Sequence, residues 1–251
     1  MVMIEKFQKK LSEFRQADDK VVWLAEQWKW RWFTFRYKKQ ARLNVAFDRE
    51  HGIETAAERP LAEVGIPQAD VARGNGVYRP LTEKLFRAAI SSIGIDASKF
   101  TFVDVGSGKG KVLFMAADYP FKRIVGIEYA HGLHEVAVRN VATYRSERQR
   151  CKNIEPLHAD ALQYELPAGP LVLFTFNALA KEIMRELLVQ LDERAASESD
   201  RPIILIYTNI RTVREVGDVF SGLQSLHIIR RLRNFVVIAN EAGRAVCGPG
   251  G

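Results

Sequence analysis

From Phe100 onward the chain repeats one pattern, a short apolar run rich in β-branched and aromatic residues followed by a longer stretch with apolar positions at helical spacing. The runs 101–105, 123–128, 153–157, 171–176 and 202–208 predict strands, and 109–118, 132–149, 180–196 and 212–220 predict helices between or after them. Strands that are apolar throughout are buried on both faces, and the helical stretches supply the crossovers that parallel neighbours need. The runs 226–230 and 235–239 lie only a few residues apart, too close for a crossover, and predict an antiparallel hairpin. The pattern as a whole predicts an α/β fold with a doubly wound, mostly parallel seven-stranded sheet that ends in a C-terminal antiparallel hairpin.

Before this repeat the pattern changes twice. After Pro80, Leu81, Leu85, Phe86, Ala89, Ile90 and Ile93 fall at helical spacing up to Gly94, a helix that leads into the core. Residues 48–79 are rich in Gly, Asp and Arg without a sustained period and predict a long loop that covers a cofactor or substrate. Residues 1–47 show no strand and predict a helical N-terminal extension. There Trp23, Trp28, Trp30, Trp32, Phe33, Phe35 and Tyr37 alternate with Lys29, Arg31, Arg36, Lys38, Lys39 and Arg42. Such a segment packs its aromatics on the main domain while its cations reach water, or else meets a membrane interface through 23–42 or a nucleic acid. The main domain is expected over 80–242, and residues 243–251 as a disordered tail.

Size and composition narrow the picture modestly. A chain of 251 residues accommodates one α/β domain with an added segment, and 47% hydrophobic with 27% charged residues is ordinary for a globular protein. Cys151 and Cys247 stand apart, without the spacing of a disulfide framework or a zinc site, so no metal is expected and a reducing, cytoplasmic setting is. No apolar run approaches the roughly 20 residues that span a bilayer, and the start MVMIEKFQKKLSEF carries charge where a signal peptide would need an apolar stretch. The net charge of +7 favours acidic partners without choosing among them.

The candidate chemistry begins at Val103-Asp104-Val105-Gly106-Ser107-Gly108-Lys109-Gly110, where a strand runs into a glycine-rich turn and then a helix. Glycines there let the backbone turn sharply and bring its N–H groups against a ligand. A Walker loop fails on spacing, because no glycine stands five before Gly110 and no Ser or Thr follows Lys111. A GxGxxG fingerprint would need glycine at 111, which is lysine, so a dinucleotide is a poor second choice. The second strand ends at Glu128, 18 positions after Gly110, where a carboxylate accepts hydrogen bonds from a ribose diol or is simply solvated.

Asp104-x-Gly106-x-Gly108-x-Gly110 followed by Gly126-Ile127-Glu128 resembles the first two motifs of the class I S-adenosylmethionine methyltransferases, a Rossmann-like family, over about residues 80–240. The resemblance implies S-adenosyl-L-methionine as cofactor, with Asp104, Gly106, Ser107, Gly108 and Gly110 around its methionine portion and Glu128 on its ribose. His158-Ala159-Asp160-Ala161 resembles the third motif, which implies an adenine contact for Asp160. Asn177, at the end of the fourth strand, is similar to the asparagine of Asn-Pro-Phe or Asn-Asn-Phe sequences in several protein and nucleic-acid methyltransferases; an asparagine there also caps helices. The Pro-Pro-Tyr of amino-directed DNA enzymes is absent. Tyr207-Thr208-Asn209 ends the fifth strand in an equally open way. Tyr78 and Thr82 match positions that close over the cofactor in enzymes related in fold to Dot1, and equally suit a buried tyrosine and a helix start.

Transfer from a sulfonium needs alignment more than acid–base help, in keeping with a sequence that has no Ser-His-Asp spacing and no HExxH motif. Asn177 and Tyr78 are the candidate catalytic residues for an amine acceptor. His131 and His158 are candidate bases for a hydroxyl. A protein side chain or a small molecule is favoured as acceptor over RNA, and a SAM-binding protein without turnover is the alternative of a different kind.

Overall fold

Apolar strands flanked by amphipathic helices bury most when the sheet is covered on both sides, and the chain folds accordingly. The structure, a computed structural model, describes residues 20–60, 63, 77–208 and 219–248, with the side chains of 21–24, 26–27, 29–34 and 36 outside that description. Two units meet between Leu43 and Asn44.

The first unit is described through helix α1 (Lys20–His51), a stretch without Gly or Pro that ends where Gly52 turns left-handed at φ +68°. Of its aromatics, Trp28 and Phe35 are 72% and 67% exposed, and Lys38, Lys39 and Arg42 are exposed as well. The placement of Trp23, Trp30, Trp32 and Phe33 lies outside the described side chains. No described helix is long and apolar enough to cross a membrane.

The second unit takes in the last two turns of α1, the short strands β1 (Arg59–Pro60) and β2 (Val77–Tyr78), and helix α2 (Glu83–Ser91). The expected boundary at residue 47 therefore moves. Phe47 and His51 are buried, His51 meets Phe47 edge-on and Tyr144 at a tilt, and its Nδ1 lies 3.0 Å from the carbonyl of Arg145, so the helix continues because that turn packs on the domain. Part of the expected 48–79 loop is thus helix and part a two-stranded pairing of β1 with β2.

The alternating series follows as β3 (Thr101–Val105), α3 (Lys111–Ala116), β4 (Arg123–Glu128), α4 (His131–Thr143), β5 (Ile154–His158), β6 (Leu171–Phe176), α5 (Lys181–Ser197) and β7 (Ile203–Thr208). It closes with β8 (His227–Arg231), β9 (Val236–Ala239) and α6 (Glu241–Val246). The strands form one seven-stranded sheet in the order β5-β4-β3-β6-β7-β9-β8, parallel through β7 and antiparallel at the hairpin. The architecture is the one the hydrophobic pattern predicts. Strand alternation divides the core in two: Phe102, Ile124 and Phe174 pack with Phe86 and Phe114 on one face, while Val103, Val125 and Leu173 pack with Leu187 and Leu191 on the other.

One expectation changes, and another lies outside the description. The predicted disordered tail from 243 begins inside α6, because Asn240 caps that helix through Gly243 N–H (2.8 Å) while tying Ile203 N–H (3.0 Å) and the carbonyl of Arg201 (2.8 Å). The predicted helix 212–220, with Asn209 before it, falls almost wholly outside the described residues.

Because α3 and α4 cover one face and α5 the other, the winding reverses between β3 and β6. At such a switch point the loops after two neighbouring strands diverge and leave a crevice at the strands' carboxyl ends.

Candidate functional site

That crevice is real. A cleft of about 1050 Å³, counted with its open mouth, is lined by Asp104, Gly106, Ser107 and Gly108 after β3, by Glu128 after β4, by Asp160 after β5 and by Asn177 after β6. Tyr78, Arg79 and Pro80 close one side of it.

The glycine turn is held by backbone bonds from its neighbour strand. Gly106 N–H and Ser107 N–H both donate to the carbonyl of Ile127, at 2.8 and 3.0 Å. Gly106 and Gly108 both adopt left-handed conformations, φ +76° and +56°, which glycine tolerates and other residues rarely do. Space forbids a side chain too: a Cβ at Gly106 would lie 2.2 Å from Cβ of Ala178, and one at Gly108 2.3 Å from Cε2 of Tyr78. Gly110 starts α3 at φ +84° and is not among the residues lining the cleft. Ser107 Oγ is buried and has no hydrogen-bond partner among the described residues.

Two carboxyl groups dominate the electrostatics. Glu128, only 7% exposed, accepts Gly108 N–H on Oε2 (2.7 Å) and Ala130 N–H on Oε1 (2.8 Å). A carboxylate has roughly four acceptor positions, and the backbone N–H of Tyr129 bears on this one as well. Burial raises its pKa, offset in part by backbone N–H groups of Ala130, Gly108 and Tyr129 and by His158. Asp104, 2% exposed, is pushed well above the usual carboxyl range, first by burial and then by the charge of Glu128. A buried acid pair of this kind is relieved by a cation.

Across the switch point, Asn177 occupies a left-handed conformation, φ 49°, with its N–H on the carbonyl of Thr208 at 2.8 Å. Asparagine is the non-glycine residue that tolerates this region best, and such backbone often marks a site. Phe176, Ala178, Leu179 and Ile183 make the surrounding wall apolar.

Tyr78 is positioned by the segment after α1. Its ring lies against Gly108 through Cδ2 and Cε2, and its hydroxyl donates to the carbonyl of Thr55 at 3.0 Å. Thr55 is fixed in turn by Asp48, whose carboxylate accepts Thr55 N–H (2.6 Å), Thr55 Oγ1–H (2.5 Å) and Ala56 N–H (2.6 Å). Burial and the charges of Asp48, Glu128, Asp104 and Glu54 raise the Tyr78 pKa well above its usual value, so the phenol keeps its proton and acts as a wall rather than a base.

Other expected residues fall to different places. Thr82 is the cap position of α2, makes no side-chain cap bond and lies outside the cleft lining. Asp160 lines the cleft at the turn after β5, where Oδ1 accepts Leu162 N–H at 3.0 Å. His131 pairs loosely with Glu135 at 3.8 Å, and His158 Nε2 lies 3.0 Å from the carbonyl of Tyr129; neither lines the cleft, which removes them as bases. Sequence reasoning missed Lys111, a cleft-lining lysine that reads as the first residue of a helix. Its ammonium donates to Oδ1 of Asn44 at 2.6 Å and sits 4.7 Å above the ring centre of Phe47, and burial lowers its pKa to about 8. Asp48 and Thr55 were also missed, because nothing in the aperiodic stretch distinguished them.

No family model and no curated protein matches the chain. Among solved structures it is similar to the mitomycin 7-O-methyltransferase MmcR, at 15% identity over 62% of this chain and 53% of that one, with a TM-score of 0.45. It is similar to the pyocyanin biosynthetic protein PhzM, at 19% identity over 61% and 55%, TM-score 0.45. It is also similar to an RNA methyltransferase from Salinibacter ruber in complex with S-adenosyl-L-homocysteine, at 18% identity over 64% and 91%, TM-score 0.41. The chain thus spans about half the length of the first two.

Proposed function

We propose that the protein is an S-adenosylmethionine-dependent methyltransferase acting on an amine of a protein side chain or on a small molecule. The observation that carries this reading is the placement of Asp104 and Glu128, two buried carboxyl groups in one cleft with a glycine turn between them. The donor set fits the cofactor: an acid pair for a positively charged ligand, the remaining acceptor capacity of Glu128 for a ribose diol, and Ser107 Oγ, without a partner among the described residues, for the methionine portion. Asp160 is assigned to the adenine amino group.

When bound, the cofactor supplies a methyl carbon on a positively charged sulfur, already activated for displacement. The chain's own part is alignment and exclusion of water. The apolar wall of Phe176, Leu179 and Ile183 keeps the acceptor side dry, and the carbonyl oxygen of Asn177 orients an amine by accepting its hydrogen bond. With Tyr78 holding its proton and both histidines outside the cleft, an acceptor that reaches the site as a neutral amine suits it better than one that needs a base.

Calorimetry with S-adenosylmethionine and S-adenosylhomocysteine tests the cofactor: binding of both is expected, and binding of neither overturns the reading. Transfer of labelled methyl from S-adenosylmethionine into fractionated lysate tests the acceptor. Label in protein or small molecules is expected, and label in RNA overturns the acceptor assignment.

A further inference from the structure

Behind the glycine turn, three segments far apart in sequence meet on one buried asparagine. Asn140 of α4 donates through Nδ2 to the carbonyls of Lys109 (3.0 Å) and Glu54 (3.0 Å) and accepts Glu54 N–H on Oδ1 at 2.8 Å. The side chain of Lys109, 2% exposed, then reaches outward so that Nζ donates to Oε1 of Glu54 at 2.7 Å, while the Glu54 side chain is 60% exposed. The next residue is Thr55, whose carbonyl receives the hydroxyl of Tyr78, and the Tyr78 ring lies back on Gly108. The contacts make a closed circuit: from the glycine turn through Lys109 to Glu54, on through Thr55 to Tyr78, and back to the turn.

We propose that Glu54, Lys109 and Asn140 are positioning residues that latch the Tyr78 ring over the cofactor turn, and that release of this latch sets the rate at which cofactor and spent cofactor leave. The proposal rests on the cofactor reading above. Three features make the circuit a latch. Tyr78, Arg79 and Pro80 line the cleft, so a ligand against Gly106 to Gly108 is covered on that side by this segment. The pairing of β1 with β2 spans two residues in each strand, too short to hold the cover alone. Glu54, with its side chain 60% exposed, is the end of the ion pair that can swing into water, while Lys109, at 2%, is fixed. Asn140 is the fixed point, buried on the helix that follows the ribose-side strand. Lys111 gives a separate tie, through Asn44 to the carbonyl of Pro80 at 3.4 Å, so the cover stays attached when the latch opens.

The test is the dissociation rate of S-adenosylhomocysteine, followed by stopped-flow displacement together with thermal denaturation, for wild type, Glu54→Gln, Lys109→Met and Lys109→Arg. Glu54→Gln keeps the size of an exposed side chain and still offers Lys109 an acceptor oxygen, and thermal denaturation reads its folding directly. Dissociation about tenfold faster in Glu54→Gln and Lys109→Met is expected, with most of the wild-type rate restored in Lys109→Arg. A role in folding alone would lower the melting temperature and leave the rate unchanged. Rates within about twofold of wild type in both Glu54→Gln and Lys109→Met overturn the latch. A wild-type protein that binds neither S-adenosylmethionine nor S-adenosylhomocysteine overturns the cofactor reading and this proposal with it.

Discussion

At the β3–β4 end of the cleft the polar groups are already committed, with Glu128 holding two backbone N–H groups and the glycine turn fixed against Ile127. At the β6 end, among the described residues that line the cleft, Asn177 brings an amide at a left-handed bend into a largely apolar wall. The first arrangement is a preorganised receptor: its cost in burying two carboxyl groups is met by the fold before any ligand arrives. The second specifies little beyond shape and one hydrogen bond. A site divided in this way binds one invariant partner tightly and leaves the other partner to be chosen by a few side chains.

Substitutions that separate the two ends test this division. Gly108→Arg strikes the committed end hardest, because the position is left-handed and faces the Tyr78 ring; calorimetry should show cofactor affinity reduced by more than about 100-fold. Asn177→Ala strikes the other end, where methyl transfer should fall by about 100-fold through loss of acceptor alignment. Cofactor affinity in that variant should stay within about threefold of wild type, and an equal loss of both would show that the ends are not separate. Glu128→Ala should weaken cofactor binding by about 30-fold, the size expected for hydrogen bonds to a charged group.

The smallest effect concerns pH. Because burial raises the pKa of Asp104 in the folded protein, its contribution to stability is full below the unfolded pKa and is lost as pH rises through the folded value. A bound cation offsets that loss. The gain in melting temperature on adding S-adenosylmethionine should therefore grow from acid toward neutral pH, which a thermal-shift series would measure, and should flatten in Asp104→Asn.

The sheet was legible in the sequence because burial on both faces leaves an unbroken apolar run, as in 171–176, which the structure reproduces as β6 without a shift. The spacing of Gly106, Gly108 and Glu128 was legible for a similar reason, since neighbouring parallel strands bring the ends of β3 and β4 side by side. Thr82 and Gly110 looked like their neighbours in sequence, yet face helix starts rather than the cleft. Asp48, Thr55 and Asn140 carry no local pattern at all, because each works through a partner 7 to 86 residues away. His158 sat close to a motif, but it is the last residue of β5 and its ring meets the carbonyl of Tyr129.

What the sequence determined by itself was therefore the periodic part: strand and helix order, a doubly wound sheet, and a glycine turn followed by an acid at the end of the next strand. These follow from local backbone preference and from burial, which act on neighbouring residues. Tertiary structure alone decided which polar groups lose water, that Tyr78 is a covering wall with its proton retained, and that Lys109 closes a circuit through Glu54. Those properties depend on distances between segments far apart in the chain, and desolvation and hydrogen bonding have no sequence period to betray them.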